Sequence, residues 1–418
     1  MPLRITDIER IRLHAPFRER VAPWNALAVT SFGLLDVYRV TTEDPDVVGW
    51  GEQLHVETTG MATRPPLTEF RGANPADLLG ETNLGLGLQT ALYDVVGKTL
   101  GVPVHRLLGR QVRDHVPLAW WDTKMPAEVL AAEARDAVAQ GYLAHKIKAR
   151  PFFDVFEQVE QVSAVTPAHY ALDLDWNQML RTVGDAAPVL AELERHERVA
   201  IFETPIRQRD LEGYRRLRDK ARRPVVEHFL ETPFPMAVAA EAFDGFVSVG
   251  FDVGDLLRQG TLAAEFGKPV WLQAVGAGLT TALVLHLASV LRAATWPSVT
   301  ALNTYADDLL ASPLRLSGGL VEVPAEPGLG VRVDEAALAR YRVAEDYAPP
   351  VERRILTVEL AGRRRHYPSI AALWQDCLDG NMPVAERGAR MSVWVDDGGA
   401  EFTQLYRRAL RGPVLEGS

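Results

Sequence analysis

Cysteine is almost absent from this chain. Cys377 stands alone, so no intrachain disulfide can form and no thiolate cluster can hold a metal. Long apolar runs are missing as well, since no stretch nears the roughly 20 apolar residues that cross a bilayer. The opening MPLRITDIERIRLHAPF alternates charged and apolar residues and lacks a signal-peptide core. Both absences, with the reduced thiol, lead to the expectation of a cytoplasmic protein with no membrane partner. Positive charge is also short: 45 Lys and Arg face 55 Asp and Glu, a net charge of −10, which argues against a nucleic-acid partner because phosphates need clustered cations. There is no low-complexity linker and no sequence-identical repeat.

What is present is a globular composition, 47% apolar and 24% charged, in a chain of 418 residues that is too long for one ordinary core. Residues 5–13 and 33–51 read as strands, the latter pair joined at Asp44-Pro45, with PFRERVAPWNALAVT between them as a loop. Residues 83–109 switch to helical spacing and end on Gly and Pro. An α+β unit is therefore expected over residues 1–113.

From there, short apolar runs recur at roughly 25-residue intervals, each followed by a helical stretch. They are HVPLAWW, AHKIKA, HYALDLD, RVAIFE, RPVVEHF, GFVSVG, KPVWLQ and SVTALN, the last over residues 298–303. Eight strands alternating with helices predict a closed parallel barrel in an α/β fold. Residues 346–418 follow without a further strand-helix unit and carry the Arg-rich RRRHYPS.

In a parallel barrel the active site lies at the C-terminal ends of the strands. On the second strand, alternation turns Lys146 and Lys148 to one side of Ile147, into the barrel. The third strand ends Asp173-Leu174-Asp175-Trp176-Asn177, the fourth at Glu203, and the fifth at Glu227-His228, each one strand-helix unit apart. Asp175, Glu203 and a ligand from the fifth strand can meet at one cation, and such a set suits Mg²⁺ or Mn²⁺. Two inward lysines beside that set point to abstraction of a proton next to a carboxylate. Electrostatic stabilisation makes the resulting enediolate accessible, and neutral lysine can serve as the base. Lys148 is the expected base and Lys146 its electrostatic neighbour, because like charge disfavours the protonated form.

At these residues the chain resembles the mandelate racemase and muconate lactonizing branch of the enolase superfamily. The motifs that carry the likeness are ALYDVVGKTLGVPVHRLLG, KIK, DWN, FETP and VPAEPGLGVRVDE, over residues 5–345. The resemblance implies a modified (β/α)7β TIM-type barrel over residues 114–330. It implies an α+β capping domain over residues 1–113, completed by residues 331–345, with residues 346–418 as a C-terminal extension. It also implies Mg²⁺, a small-molecule carboxylate substrate, a homo-oligomer, and substrate selection by cap loops at residues 16–30 and 52–64, which contain Arg18, Trp24, His55 and Thr58.

The chain departs from the branch on the remaining strands. The fifth usually supplies an acid, whereas PVVEH offers Glu227 or His228, and distance from Pro224 favours His228 as the third metal ligand. Strand six has no lysine, strand seven ends in Gln273, and Asp252 has no histidine partner. His286 falls in a helical pattern and reads as a core residue. Asn303 and Tyr305 end strand eight where the branch carries glutamate. Substrate contacts are thus expected from Asn177, Asp252, Gln273, Asn303, Tyr305, Trp24 and His55, with His55 a candidate acid. With no base opposing Lys148, dehydration of an aldonate or aldarate to a 2-keto-3-deoxy acid is expected ahead of a racemase, epimerase or cycloisomerase, or a non-catalytic acid-binding barrel.

Overall fold

The computed structural model describes residues 3–60 and 66–416, the side chains of residues 58–60 excepted. Alternation of short apolar runs with helices folds as the spacing predicts. Barrel strands one to seven are Trp120–Asp122, Ala144–Lys148, Ala171–Asp175, Val199–Glu203, Val225–His228, Gly245–Ser248 and Val270–Leu272. They lie side by side in chain order, each paired parallel to the next. A helix follows each, from Ala127–Ala139 to Gly278–Val290. This is an α/β barrel with separate antiparallel sheets around it.

The first and eighth expected strands differ from their forecast. HVPLAWW divides: His115–Pro117 joins a small antiparallel sheet with Leu320–Glu322, and only the following residues enter the barrel. SVTALN forms two single bridges, Ser298 to Leu118 and Val299 to Gln273, which close the ring between strands seven and one. Beyond them Ala301 turns left-handed at φ 57°. Asn303 then takes over the pairing with its side chain. Its Oδ1 accepts from Trp121 N at 3.0 Å and its Nδ2 donates to Trp121 O at 2.9 Å, so an amide does what a further strand residue would do.

The N-terminal sheet is antiparallel and ordered as in the chain: Ile5–His14, Leu34–Thr42 and Val48–Leu54. Helix Leu86–Leu100 packs on it so closely that glycine is required at two points. A Cβ on Gly49 would lie 2.2 Å from Ala91 O, and one on Gly51 would lie 2.1 Å from Gly87 O. Helix Glu335–Tyr341 returns to this sheet, where Val343 N donates to Arg12 O. The segment expected as a loop, PFRERVAPWNALAVT, instead carries helix Ala22–Ala28, with Pro23 in its first turn, where the missing N–H costs nothing.

After residue 346 the C-terminal extension builds structure of its own. Arg354–Leu360, Arg363–Tyr367, Arg390–Val395 and Val414–Glu416 form a four-stranded antiparallel sheet with helices Ile370–Leu378 and Ala400–Ala409. Its core of Leu356, Val358, Tyr367, Leu373, Cys377 and Met391 is continuous with Phe152, Phe153 and Met179 from barrel loops. That shared apolar cluster seats the extension on the barrel. Among the described residues no helix is long and apolar enough to cross a membrane.

Candidate active site

Strand alternation sorts the fifth strand before any distance is measured. Val226 belongs to the cluster inside the barrel with Trp121, Ile201, Val247 and Trp271. His228, two residues on, therefore shares its inward face, and Glu227 points out toward the helices. Contacts agree. Glu227 accepts from Tyr214 Oη at 2.8 Å, Thr204 Oγ1 at 3.0 Å and Gln208 Nε2 at 3.1 Å, while His228 Nε2 lies 3.1 Å from Glu203 Oε1. Burial pushes Glu227 up to about 7. The imidazole of His228 is raised; burial opposes this, but the Glu203 carboxylate outweighs it.

Lys146 is fully buried and Lys148 is 17% exposed. Lys148 Nζ donates to Asp175 Oδ2. Lys146 Nζ pairs with Glu203 Oε2, lies 3.7 Å from Asp175 Oδ2, and donates to Gln273 Oε1 at 2.7 Å. One ammonium thus spans both carboxylates. Burial alone would raise Asp175, but Lys148, Lys146 and Arg150 together hold it far below the usual carboxylate range. Lys148 is lowered, chiefly by burial and then by Lys146 and Arg150, against the pull of Asp175 and Glu203. Deeper in the barrel, Asp173 is pushed well up by burial and by the charge of Glu203.

Above these groups opens a cavity of about 390 Å³. Lys148, Asn177 and Gln273 line it, as do Thr123, Lys124 and Arg150. Its walls are Val29 and Phe32 from the N-terminal segment, Trp121 from strand one, and Ile370 and Trp374 from the C-terminal extension. Arg150 is fully buried and donates to Ala149 O, Asp175 O and Asn177 Oδ1.

Five expected substrate contacts are engaged elsewhere and do not line this cavity. Asp252 caps helix Val253–Glu265 by accepting from Asp255 N at 2.7 Å. His55 Nδ1 lies 3.0 Å from Asp36 Oδ2. Tyr305 Oη donates to Phe32 O, and Asn303 binds the Trp121 backbone as described. Trp24 packs edge-to-face on Phe153; its neighbours Val29 and Phe32 face the cavity instead. Arg18 ties its loop to the first barrel helix through Glu133. The side chain of Thr58, and residues 61–64 of the second loop, lie outside the described residues. His286 is a core residue, stacked on His105 and bonded to Leu329 O.

Lys124, Arg150 and Trp374 were not singled out in the sequence. The expected end of strand one at residue 121 stopped short of Lys124, and the available signal was the residues just past that strand's C-terminal end. Arg150 follows the KIK motif by two positions. Nothing in the sequence pattern brings Trp374 to the site, since its place depends on docking of the extension.

Asp175, Glu203 and His228 offer two buried carboxylates and an imidazole, a combination a hard cation accepts. Asp175 is held ionised, and Glu203 Oε2 has no directed hydrogen bond although Lys146 Nζ lies against it. As they stand, the lysines neutralise these acids, and among the described residues no three His, Cys, Asp or Glu side chains close on a common point. The donor chemistry therefore fits, once lysine contacts yield.

A family model for the enolase C-terminal domain-like fold matches residues 129–337, half of the chain. The chain belongs to that family. Among its relatives is a D-gluconate dehydratase of Thermoproteus tenax, 28% identical over 401 residues, covering 85% of this chain and 77% of that protein. Muconate cycloisomerase 1 of Pseudomonas putida is 25% identical over 275 residues, 63% of this chain and 72% of the other. A solved enolase-family structure from Thermobispora bispora, complexed with magnesium and formate, has the same fold at a TM-score of 0.66 and 21% identity, covering 81% of this chain and 92% of that one.

Proposed function

We propose that this enolase-family chain dehydrates a sugar acid, with Lys148 removing the proton next to the carboxylate. One observation carries the reading: a lysine lowered by burial stands at the cavity's edge, hydrogen-bonded to an ionised aspartate beneath it. A base of this kind is more readily neutral than a free lysine, and Asp175 orients it. Asp175, Glu203 and His228 would hold Mg²⁺. When bound, the cation supplies stabilisation of the negative charge that builds on the substrate carboxyl oxygens. Lys146, buried between Asp175 and Glu203, keeps both carboxylates in place and adds positive potential beneath the reacting carbon. Arg150 fixes Asn177, which faces the same cavity.

A relative that supports elimination is the D-gluconate dehydratase, whose match covers most of this chain. Cycloisomerisation is the second reading, favoured by the aromatic walls Phe32, Trp121 and Trp374 and by the muconate enzyme among the relatives. Incubation with Mg²⁺ in D₂O and a panel of aldonates, aldarates and muconolactones separates the two. Dehydration releases 2-keto acids that react with semicarbazide. Deuterium at the α-carbon with no keto acid assigns the second reading, and neither signal with any acid defeats both.

A further inference from the structure

Among the described residues, every buried cation at this site has a hydrogen-bonded or ion-paired partner except one. Lys146 meets Glu203 and Gln273, Lys148 meets Asp175, and Arg150 meets two carbonyls and Asn177. Lys124, two residues beyond strand one, is 7% exposed and lines the cavity, yet its ammonium has no hydrogen bond or ion pair among the described residues. Its one close companion is the indole of Trp374, with Nζ 5.4 Å from the ring centre. Arg150 lies 4.7 Å from the same ring. A cation–π contact recovers only part of the hydration that a buried ammonium gives up.

The charge balance of the cavity is one-sided. Lys124, Lys148 and Arg150 line it, and among the described residues no carboxylate does. Such a wall, charged at Arg150 and able to take up a proton at Lys124, is complementary to more than one negative charge on the ligand. We propose that Lys124, backed by Trp374 of the C-terminal extension, is a subsite for the distal carboxylate of a dicarboxylic sugar acid whose reacting end lies at Lys148. This rests on the reading of the site given above and assigns its substrate class as aldarates. Trp374 presents an apolar face from helix Ile370–Leu378, so the extension both screens Lys124 from water and completes the subsite. A volume of about 390 Å³ lies within the range of small-molecule sites.

Titration of Lys124 adds support. Burial first, then the charges of Arg150 and Lys148, lower it to about 6, with Asp175 opposing. In the free protein at about pH 8 it is neutral, and an arriving carboxylate favours its charged form, so binding draws a proton from solution. A monoacid that leaves Lys124 untouched draws none there.

The test uses matched ligands that differ only at the far carbon: D-gluconate against D-glucarate, and D-galactonate against galactarate. Titration calorimetry on the whole chain with Mg²⁺ at about pH 8, in two buffers of different ionisation enthalpy, reads affinity and proton uptake together. In at least one pair the diacid is expected to bind at least about tenfold more tightly and to take up a proton. Lys124→Gln removes the preference and the uptake, whereas Lys124→Arg keeps the preference and loses the uptake. The proposal is overturned if diacid and monoacid bind alike in both pairs, if neither binds, or if Lys124→Gln leaves the preference intact. Should the diacid bind as expected but neither exchange its α-proton nor yield a keto acid, the subsite stands and the dehydration reading falls.

Discussion

Carboxylates are buried in two parts of this barrel and are treated differently in each. At the ends of strands three and four, Asp175 and Glu203 are met by basic groups, the amines of Lys148 and Lys146 and the imidazole of His228. In the layer between strands and helices, Glu227 is met by the neutral donors Tyr214, Thr204 and Gln208, and Asp252 by backbone N–H groups at a helix start. The charges respond accordingly: Asp175 is held far down, while Glu227 drifts up to about 7. A carboxylate set among basic side chains stays ionised, as Asp175 does. One saturated by hydroxyl and amide donors is fixed scaffold. Between Asp175 and Glu227, then, the surroundings decide which buried acid stays ionised.

The largest effect should come from the inner set. Lys148→Ala removes the proposed base, and α-proton exchange in D₂O should fall by about 10²–10⁴-fold. Retained exchange would move the base elsewhere and erase the distinction. In the native protein the rate should rise with pH along a limb centred below the roughly 10.4 of a free lysine, because only the neutral amine accepts the proton and burial lowers this group.

The next test sets one acid from each region against the other. Glu203→Gln should raise the Mg²⁺ concentration for half-maximal activity at least about 100-fold, whereas Glu227→Gln should move it by no more than about threefold. Equal losses would make Glu227 a ligand and reverse the strand-five assignment. Glu227 also carries a stability signature. Its folded-state value lies above the ordinary carboxylate value, so the native state binds the proton more tightly and stability falls as pH rises from about 4.5 to about 7. A shift of that size corresponds to roughly 3 kcal/mol. Chemical denaturation across that window should show a shallower decline in Glu227→Gln than in the native protein.

Much of this was legible in the sequence because it depends on short-range periodicity. The seven strands, the inward pair Lys146 and Lys148, and the unit spacing of Asp175, Glu203 and His228 follow from alternation and recurrence. Strand eight was overcounted, since the side chain of Asn303 replaces backbone pairing, and a sequence pattern cannot distinguish the two. The far wall was illegible for a different reason. Trp374 lies 226 positions from Lys148 in the chain, and its place is set by packing of Leu373 and Cys377 against Phe152 and Met179, contacts with no local signature. His55 and Asp252 attracted attention as lone polar residues near strand ends or cap loops, yet both have local partners that account for them.

Asp252 gives the smallest predicted effect. Its carboxylate accepts from Asp255 N at 2.7 Å, and the next residue's N–H goes to Gln89 Oε1 at 2.6 Å, so this helix start is held by a side chain of its own and by one from the N-terminal unit. Asp252→Ala loses only the first of these. Loss of a helix cap costs about 1 kcal/mol, to be read as a lowered midpoint in urea with an unchanged slope. Because Asp252 does not face the cavity, substrate affinity and α-proton exchange should remain as in the native protein. A fall in exchange without loss of stability would return Asp252 to the inner set. The boundary between chemical and structural acids would then lie two strands further around the barrel than the contacts place it.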